Sequence, residues 1–207
     1  SFPTRRSSDL MEDINIRIAQ QVREIRLARG YTLDILASRC QVSRSAISLI
    51  ERGEASPTAV VLEKLANGLG VPLTQLFDSP QNTQSPQPMV RRTQQAEWKD
   101  PETGYIRRQV SPPNWKSPFQ IVEIEFPAQS RVTYETSTNS KVVLQQIWVI
   151  EGQIDIQLGE NFYALQEGDC LAMQLDQPII YSNPSSKAAR YILVVCNELV
   201  SILKESS

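Results

Sequence analysis

The chain has 207 residues, a formal net charge of −2 at pH 7 and no histidine. This length fits two domains, one of about 65 residues and one of about 110 residues. The absence of histidine excludes a Ser-His-Asp catalytic triad, an HExxH zinc site and an iron centre held by two histidines and a carboxylate.

The first ten residues, SFPTRRSSDL, show no apolar periodicity and precede Met11. We predict that residues 1–10 are a non-native or disordered tail, because they resemble translated vector linker. No apolar run approaches the ~18 residues of a membrane span, and no signal-peptide core is present. Cys40, Cys170 and Cys196 form no CxxC pair, which indicates buried thiols in a reducing compartment. We therefore expect a cytoplasmic protein without membrane contact.

Residues 16–53 carry apolar side chains at helical spacing in three successive segments. The first segment predicts a helix that stops at Gly30 in the left-handed conformation. Residues 32–53, TLDILASRCQVSRSAISLIERG, predict two short helices joined by a tight turn at Cys40-Gln41, which is a helix-turn-helix pattern. The following residues are predicted to pack these two helices on a shared core: Leu33, Leu36, Ala37, Val42, Ala46, Ile47 and Ile50.

The outward face of the second short helix carries side chains suited to reading double-stranded DNA. In a helix-turn-helix protein the first turns of this helix lie in the major groove. We predict that Arg44 pairs with guanine and that Leu49 packs on a thymine methyl group. Ser45 and Ser48 are predicted to form hydrogen bonds to base edges. The alternative is a helical hairpin packed inside an enzyme, since such hairpins occur in unrelated proteins.

Three further residues are assigned to helix capping or to contact with the DNA backbone: Thr32, Ser43 and Arg52. Thr32 and Ser43 precede the two helices, where a side-chain oxygen can accept from a backbone N–H two or three residues on. Between Glu12 and Asp78 the chain has 8 acidic and 8 basic residues. The DNA-reading half therefore has no large excess of positive charge with which to hold DNA phosphates. We expect tight binding to need a homodimer with two DNA-binding domains, or reading heads.

Residues 57–69 begin with proline, stop at Gly70 and predict a fourth helix, after which PLTQLF adds a final short turn. Its predicted buried residues are Val60, Val61, Leu65 and Leu69. Residues 16–77 as a whole resemble the lambda-repressor/Cro type, or xenobiotic-response-element type, of helix-turn-helix domain. The most specific part of the resemblance is the phrase VSRSAISLIERGEASPT.

The resemblance implies a five-helix, lambda-repressor-like DNA-binding domain over residues 12–78. It also implies a structural ion pair between Arg26 on the first helix and Glu51 at the end of the recognition helix. The sequence departs from the family at Leu33 and Leu49, where the family often carries glutamine for contact with phosphate or bases.

A Pro- and Gln-rich segment without apolar periodicity follows at residues 79–96, and we predict a solvated linker that lets two domains orient separately. Residues 97–207 then change to strand-like alternation in eight short runs, which predicts a β-sandwich or β-barrel. Glu151-Gly152 is predicted to close a hairpin, and residues 166–169 are predicted to form a turn. The terminal ELVSILKESS is predicted to form a short helix.

Residues 119–196 resemble a cupin, a double-sheet jelly roll whose two motifs bring metal ligands to the mouth of a β-barrel. Gly168, Ile179 and Asn183 keep the spacing of the second motif, with Ile179 in place of a metal-binding histidine. The residues at the ligand positions of the first motif are Asn139, Lys141 and Gln145. Because a cupin metal centre needs imidazoles and a carboxylate, we expect no metal and no other cofactor.

Strand alternation predicts a mostly apolar interior with amides and a phenol at its mouth, which suits a small organic effector. The candidate effector pocket comprises Arg131, Lys141, Gln145, Ile147, Met173, Ile179 and Tyr181. Arg131 or Lys141 can meet a carboxylate on such an effector. The alternative is a filled interior in a domain that only dimerises.

These patterns predict a two-domain α + β transcriptional regulator that is a homodimer, is not an enzyme and changes its DNA affinity when an effector shifts its conformation. Two other classes remain open. A metal-independent cupin enzyme with an attached DNA-binding head would lose turnover when Lys141 or Tyr181 is changed. A protein-binding adaptor would keep its DNA affinity in the variants Arg44→Ala and Ser48→Ala.

Overall fold

The computed structural model describes residues 7–78, 87–135 and 143–196. The chain forms two compact units. The first takes the chain up to Pro101 together with Pro112–Trp115, and the second takes Glu102–Ser111 and the chain from Lys116 onward. The helix predicted for ELVSILKESS lies outside the described residues.

The described part of the first unit contains four α-helices rather than the five that were predicted. They are α1 (Ser7–Ala28), α2 (Leu33–Cys40), α3 (Arg44–Glu51) and α4 (Ala59–Leu69). The predicted fifth helix is a 3-10 helix over Leu73–Phe77, and a second 3-10 helix spans Arg92–Gln94. Helix α1 starts at Ser7, inside the predicted tail, and its left-handed stop lies at Gly30, where φ is +68°.

The core of the helical unit is built from residues that are almost completely inaccessible: Ile18, Val22, Leu36, Ile47, Ile50, Leu62, Leu65, Leu69, Leu76 and Phe77. Several residues predicted for this core are only half-buried: Leu33, Ala37, Val42, Ala46, Val60 and Val61. The periodicity therefore identified the correct helices. It predicted burial at several positions that lie next to the residues that are in fact buried. In α4 the apolar run VVL offers three successive residues, and Leu62 takes the central buried position.

The chain beyond the Pro- and Gln-rich segment belongs to the helical unit up to Pro101. The second unit therefore begins after Pro101 and not at residue 97, where the second domain was predicted to start. Strand β1 (Glu97–Lys99) carries Trp98, which is 1% exposed and packs edge to face on Phe77 with 5.8 Å between ring centroids. Asp100 Oδ1 accepts a hydrogen bond from the backbone N–H of Ala59 at 2.9 Å. Asp100 thereby satisfies one of the unpaired donors at the start of α4.

The second unit is built from antiparallel strands in two sheets. Its strands are β2 (Ile106–Gln109), β3 (Phe119–Phe126), β4 (Ser130–Tyr134), β5 (Leu144–Glu151), β6 (Gln153–Leu158), β7 (Asn161–Gln166), β8 (Cys170–Gln174), β9 (Ile179–Asn183) and β10 (Ala189–Cys196). One sheet contains the order β2-β3-β10-β5-β8, and the other has the order β4-β9-β6-β7. The eight predicted runs are all strands, whereas β1 and β2 were missed.

Two connections predicted as turns carry the chain from one sheet to the other. Glu151-Gly152 does not close a hairpin, because β5 pairs with β10 and β8 while β6 pairs with β7 and β9. Gly152 has φ +79°, and a Cβ there would lie 3.0 Å from the carbonyl oxygen of Ala188. The corner therefore needs glycine for both its conformation and its close packing.

Asp78 makes the stability of the helical unit depend on pH. Burial raises the pKa of Asp78 to about 6, partly opposed by Arg17. The folded state holds the proton of the Asp78 carboxyl more tightly than the unfolded chain does. Protonated Asp78 therefore contributes its full stabilisation below about pH 4, and this stabilisation is lost as the pH rises through about 6. We expect the free energy of unfolding to fall by about 1–3 kcal/mol over this range through Asp78. Urea unfolding of wild type and Asp78→Asn across this range isolates the group, and an unchanged pH slope in the variant would contradict this assignment.

Candidate DNA-reading surface

The two helices of the helix-turn-helix segment both begin at a hydroxyl cap. Thr32 Oγ1 accepts from Ile35 N at 3.1 Å, and Ser43 Oγ accepts from Ala46 N at 3.2 Å. Both cap residues have extended backbone angles, as an N-cap requires. These bonds leave the other backbone donors of the first turn and the positive end of the helix dipole facing outward, which favours an anion there.

Helix α3 divides cleanly into a packed face and an accessible face. Ile47 and Ile50 are buried in the core, whereas the residues predicted to read bases are accessible. Arg44, Ser45 and Leu49 are exposed, with Leu49 at 38%, and Ser48 is half-buried. The structure thus brings the four predicted base-reading residues onto the first two turns of a single capped helix. This is the part of a recognition helix that reaches base edges.

Charged side chains around α3 form ion pairs on the protein surface. Arg44 Nε lies 3.2 Å from Asp34 Oδ1, with both side chains more than half exposed. Arg52 forms a two-pronged pair with Glu54, at 2.7 Å and 2.9 Å, and its Nη1 donates to Ser48 Oγ at 2.6 Å. Exposed pairs of this kind are weak, so DNA can compete for both guanidinium groups.

A pair of charges joins the reading helix to α1. Arg26 Nε and Nη2 donate to the two carboxylate oxygens of Glu51 at 2.6 Å and 2.7 Å, and Arg26 Nη1 donates to the carbonyl of Tyr31 at 2.8 Å. The side chains are only 11% and 7% exposed. The hydrogen bonds that Arg26 donates to the Glu51 carboxylate raise the pKa of Arg26. Glu51 is the last residue of α3, so the pair fixes the end of the helix that presents the reading residues.

The turn between α2 and α3 has two features that sequence reasoning missed. Gln41, the C-cap of α2, adopts the left-handed conformation with φ +54°. In α4, Gly68 lies so close to α2 that an added Cβ would be 2.7 Å from Cys40 Cβ and 3.1 Å from Cys40 N. The glycine within the apolar run of α4 was a sequence signal for this contact, because only a residue without a side chain lets two helices approach so closely. The contact sets the position of α2 against α4.

The interior of the second unit contains most of the predicted effector-pocket residues. Five of them are buried: Gln145, Ile147, Met173, Ile179 and Tyr181. Arg131, which was predicted to meet a carboxylate on the effector, is exposed on β4 beside the buried Val132 and does not line the interior. Lys141 lies outside the described residues. Gln145 Nε2 donates to the hydroxyl of Tyr181 at 2.8 Å.

Asn183 has a structural position at the end of β9. Its Nδ2 lies within 3.3 Å of the carbonyl oxygens of Phe126, Pro127 and Lys187, and its Oδ1 accepts from Ser185 N and Oγ. Asn183 therefore ties two chain segments at the corner of the sandwich. Across residues 7–78, 87–135 and 143–196, no three Cys, Asp or Glu side chains are grouped as a metal site would require.

Helix α3 has a side-chain cap and an exposed face that carries one arginine and two serines. This arrangement gives the first unit the form of a helix-turn-helix DNA-binding domain. The Helix-turn-helix (HTH_3) family model matches residues 22–76. HTH-type transcriptional regulator SutR of Escherichia coli (strain K12) is 27% identical over 181 residues, covering 87% of this chain and 95% of that protein. Control protein C.MunI of Mycoplasma sp is 32% identical over 68 residues, covering 32% of this chain and 92% of that protein.

A solved structure extends the similarity over both units. The crystal structure of an HTH_3 family transcriptional regulator from Vibrio cholerae matches with a TM-score of 0.71 and 25% identity, covering 90% of this chain and 98% of that chain. The chain belongs to the helix-turn-helix transcriptional regulators of the lambda-repressor/Cro type, and it is a DNA-binding transcriptional regulator. No helix in the described ranges is long and apolar enough to cross a membrane.

Proposed function

We propose that this regulator acts in the cytoplasm as a homodimer that reads a palindromic operator through α3 of each copy. The exposed, side-chain-capped first two turns of α3 carry this proposal. Arg44 pairs with guanine, Ser45 and Ser48 bond to neighbouring base edges, and Leu49 packs on a thymine methyl group. Ser43, Thr32 and Arg52 lie at the ends of the two helices, where they orient the reading head against the DNA backbone.

The modest charge of the reading head supports the proposed dimer. The stretch from Glu12 to Asp78 has equal numbers of acidic and basic residues, and two of its arginines pair with carboxylates beside α3. One such head gains little affinity from phosphate neutralisation alone. Two heads on half-sites about one helical turn apart supply the affinity and the specificity together.

The second unit is proposed to be a metal-free, non-enzymatic jelly roll that dimerises, binds a small organic effector, or does both. Its two antiparallel sheets bury an apolar interior that also contains Gln145 and Tyr181. An effector that prefers one arrangement of the dimer changes operator affinity by its own differential binding energy. A change of fivefold to 150-fold corresponds to roughly 1–3 kcal/mol.

Selection of random DNA duplexes by the full-length protein tests the reading residues. We expect a palindrome to be enriched, and we expect Arg44→Ala to lose roughly 1–3 kcal/mol of discrimination at one base pair of each half-site. The matched control is Arg23→Ala, which removes an exposed arginine from α1. Loss of affinity that is uniform across sequences would assign Arg44 to the backbone instead. No enrichment at low salt would overturn the operator proposal and favour a protein-binding head.

A further inference from the structure

Asp34 is the carboxylate partner of Arg44, the residue proposed to pair with guanine. It lies in the first turn of α2, and its Oδ1 is 3.2 Å from Nε of Arg44 on α3. The side chains of Asp34 and Arg44 are 74% and 65% exposed, so the pair lies on the accessible surface of the helix-turn-helix segment. No role was predicted for Asp34 from the sequence.

The contact at Nε uses one edge of the Arg44 guanidinium. A guanidinium carries five N–H donors in a fixed planar arrangement, one on Nε and two on each Nη atom. A carboxylate on the Nε edge leaves one N–H of each Nη atom pointing along the axis of the side chain, where the two can donate to O6 and N7 of guanine. Asp34 and guanine can therefore contact Arg44 at the same time, on different edges.

Holding the arginine in place favours recognition of one base. A free arginine side chain loses much rotamer freedom when it is fixed against a base, and a partner that already restricts the side chain reduces this loss. The ion pair is weak in water, but it strengthens when DNA excludes water from the surface around it. The negative charge of Asp34 has the opposite effect on binding as a whole, because it repels nearby phosphates.

We propose that Asp34 is a positioning residue, which orients the Arg44 guanidinium for guanine and so determines base specificity without contacting the base. This inference rests on the base-reading role proposed for Arg44, and it names the group that sets the geometry of that contact. Two other roles make different predictions. Asp34 could serve only the first turn of α2, where a negative charge favours the helix dipole, or it could read a base itself by accepting from N4 of cytosine.

DNA binding by the full-length protein at one stated salt concentration tests this role. Three duplexes are compared: the one enriched by selection, the same duplex with the base pair that Arg44→Ala affects replaced, and an unrelated duplex. The preference is the ratio of the Kd values for the first two. We expect Asp34→Ala to reduce it by about threefold to tenfold, while affinity for the unrelated duplex stays equal or rises because a negative charge is lost. The matched control is Glu24→Ala, which removes an exposed carboxylate from α1 and should leave the preference unchanged.

The double variant Asp34→Ala with Arg44→Ala separates positioning from direct reading. If Asp34 acts through Arg44, the double variant has the same preference as Arg44→Ala alone. A further loss in the double variant would show that Asp34 reads a base itself, and it would overturn the proposal. An unchanged or higher preference in Asp34→Ala would overturn it too. An equal loss of affinity for all three duplexes would assign Asp34 to the stability of α2, with the same consequence.

The same measurements separate this inference from the proposed function on which it rests. If Arg44→Ala changes the preference at no base pair, base reading by Arg44 has failed and the role of Asp34 fails with it. If Arg44→Ala loses the preference while Asp34→Ala keeps it, base reading by Arg44 stands and only the role of Asp34 is overturned.

Discussion

Glu51→Ala is expected to destabilise the helical unit by about 3 kcal/mol, because it leaves the Arg26 guanidinium in the core without its carboxylate partner. The two side chains are 11% and 7% exposed and share two short hydrogen bonds. Urea unfolding monitored by the helical circular dichroism signal measures the loss. DNA selection should show weakened operator affinity as well, since the end of α3 loses its attachment to α1.

The chain contains a matched control for this effect. Arg52 and Glu54 form the same two-pronged arrangement, but both side chains are about half exposed. Glu54→Ala should therefore leave the unfolding midpoint within error of wild type. The double variant Arg26→Met with Glu51→Leu should recover most of the stability, because apolar side chains avoid the desolvation cost. Equal loss from Glu51→Ala and Glu54→Ala would show that burial does not determine the contribution of the pair.

Trp98→Ala is expected to cost about 3–5 kcal/mol, the range for truncating a fully buried large aromatic side chain. Trp98 is 1% exposed and packs on Phe77, at the end of the 3-10 helix that closes the helical unit. Because the chain has two compact units, a measurement resolved along the chain is needed to assign this loss to the helical unit. Amide hydrogen exchange locates it: protection should fall in α1 and α4.

Trp115 offers the control, since it belongs to the same unit and is 48% exposed. Trp115→Ala should leave the exchange of the helical amides unchanged, because a half-exposed ring loses little burial on truncation. If Trp98→Ala lowered protection only in the strands of the second unit, the assignment of residues 97–101 to the helical unit would be wrong.

Local chemistry in the sequence was sufficient for the reading helix and for most of the strands. Ser43 and Thr32 identified the helix starts, since an N-cap is a short-range feature that depends on the chain within three residues. Alternation located the eight predicted runs, and in strands such as β5 and β6 it corresponds to one buried face. The pairing of Arg26 with Glu51 was implied only by the resemblance, because the two residues are 25 positions apart.

The features that the sequence did not indicate depend on tertiary partners. Strand β2 reads IRRQ, and two adjacent arginines resemble a solvated loop, although Arg107 and Arg108 are both only 6% exposed. Glu151-Gly152 has turn chemistry, but that chemistry specifies a bend and not the strand with which the next residue pairs. The sequence did not show that Arg131 is exposed, because alternation along a strand does not say which of two neighbouring residues faces the interior.

The contact between Phe77 and Trp98 changes what the Pro- and Gln-rich segment does for the molecule. Both rings belong to the helical unit and lie 5.8 Å apart, so the chain before residue 79 and the chain after residue 96 are held together in one body. Lengthening the sequence between two segments that are held together costs little loop-closure entropy. A proteolytic cut between residues 79 and 86 would divide the polypeptide without releasing the reading head, because the pieces would stay joined through buried aromatic packing and the hydrogen bond from Ala59 to Asp100.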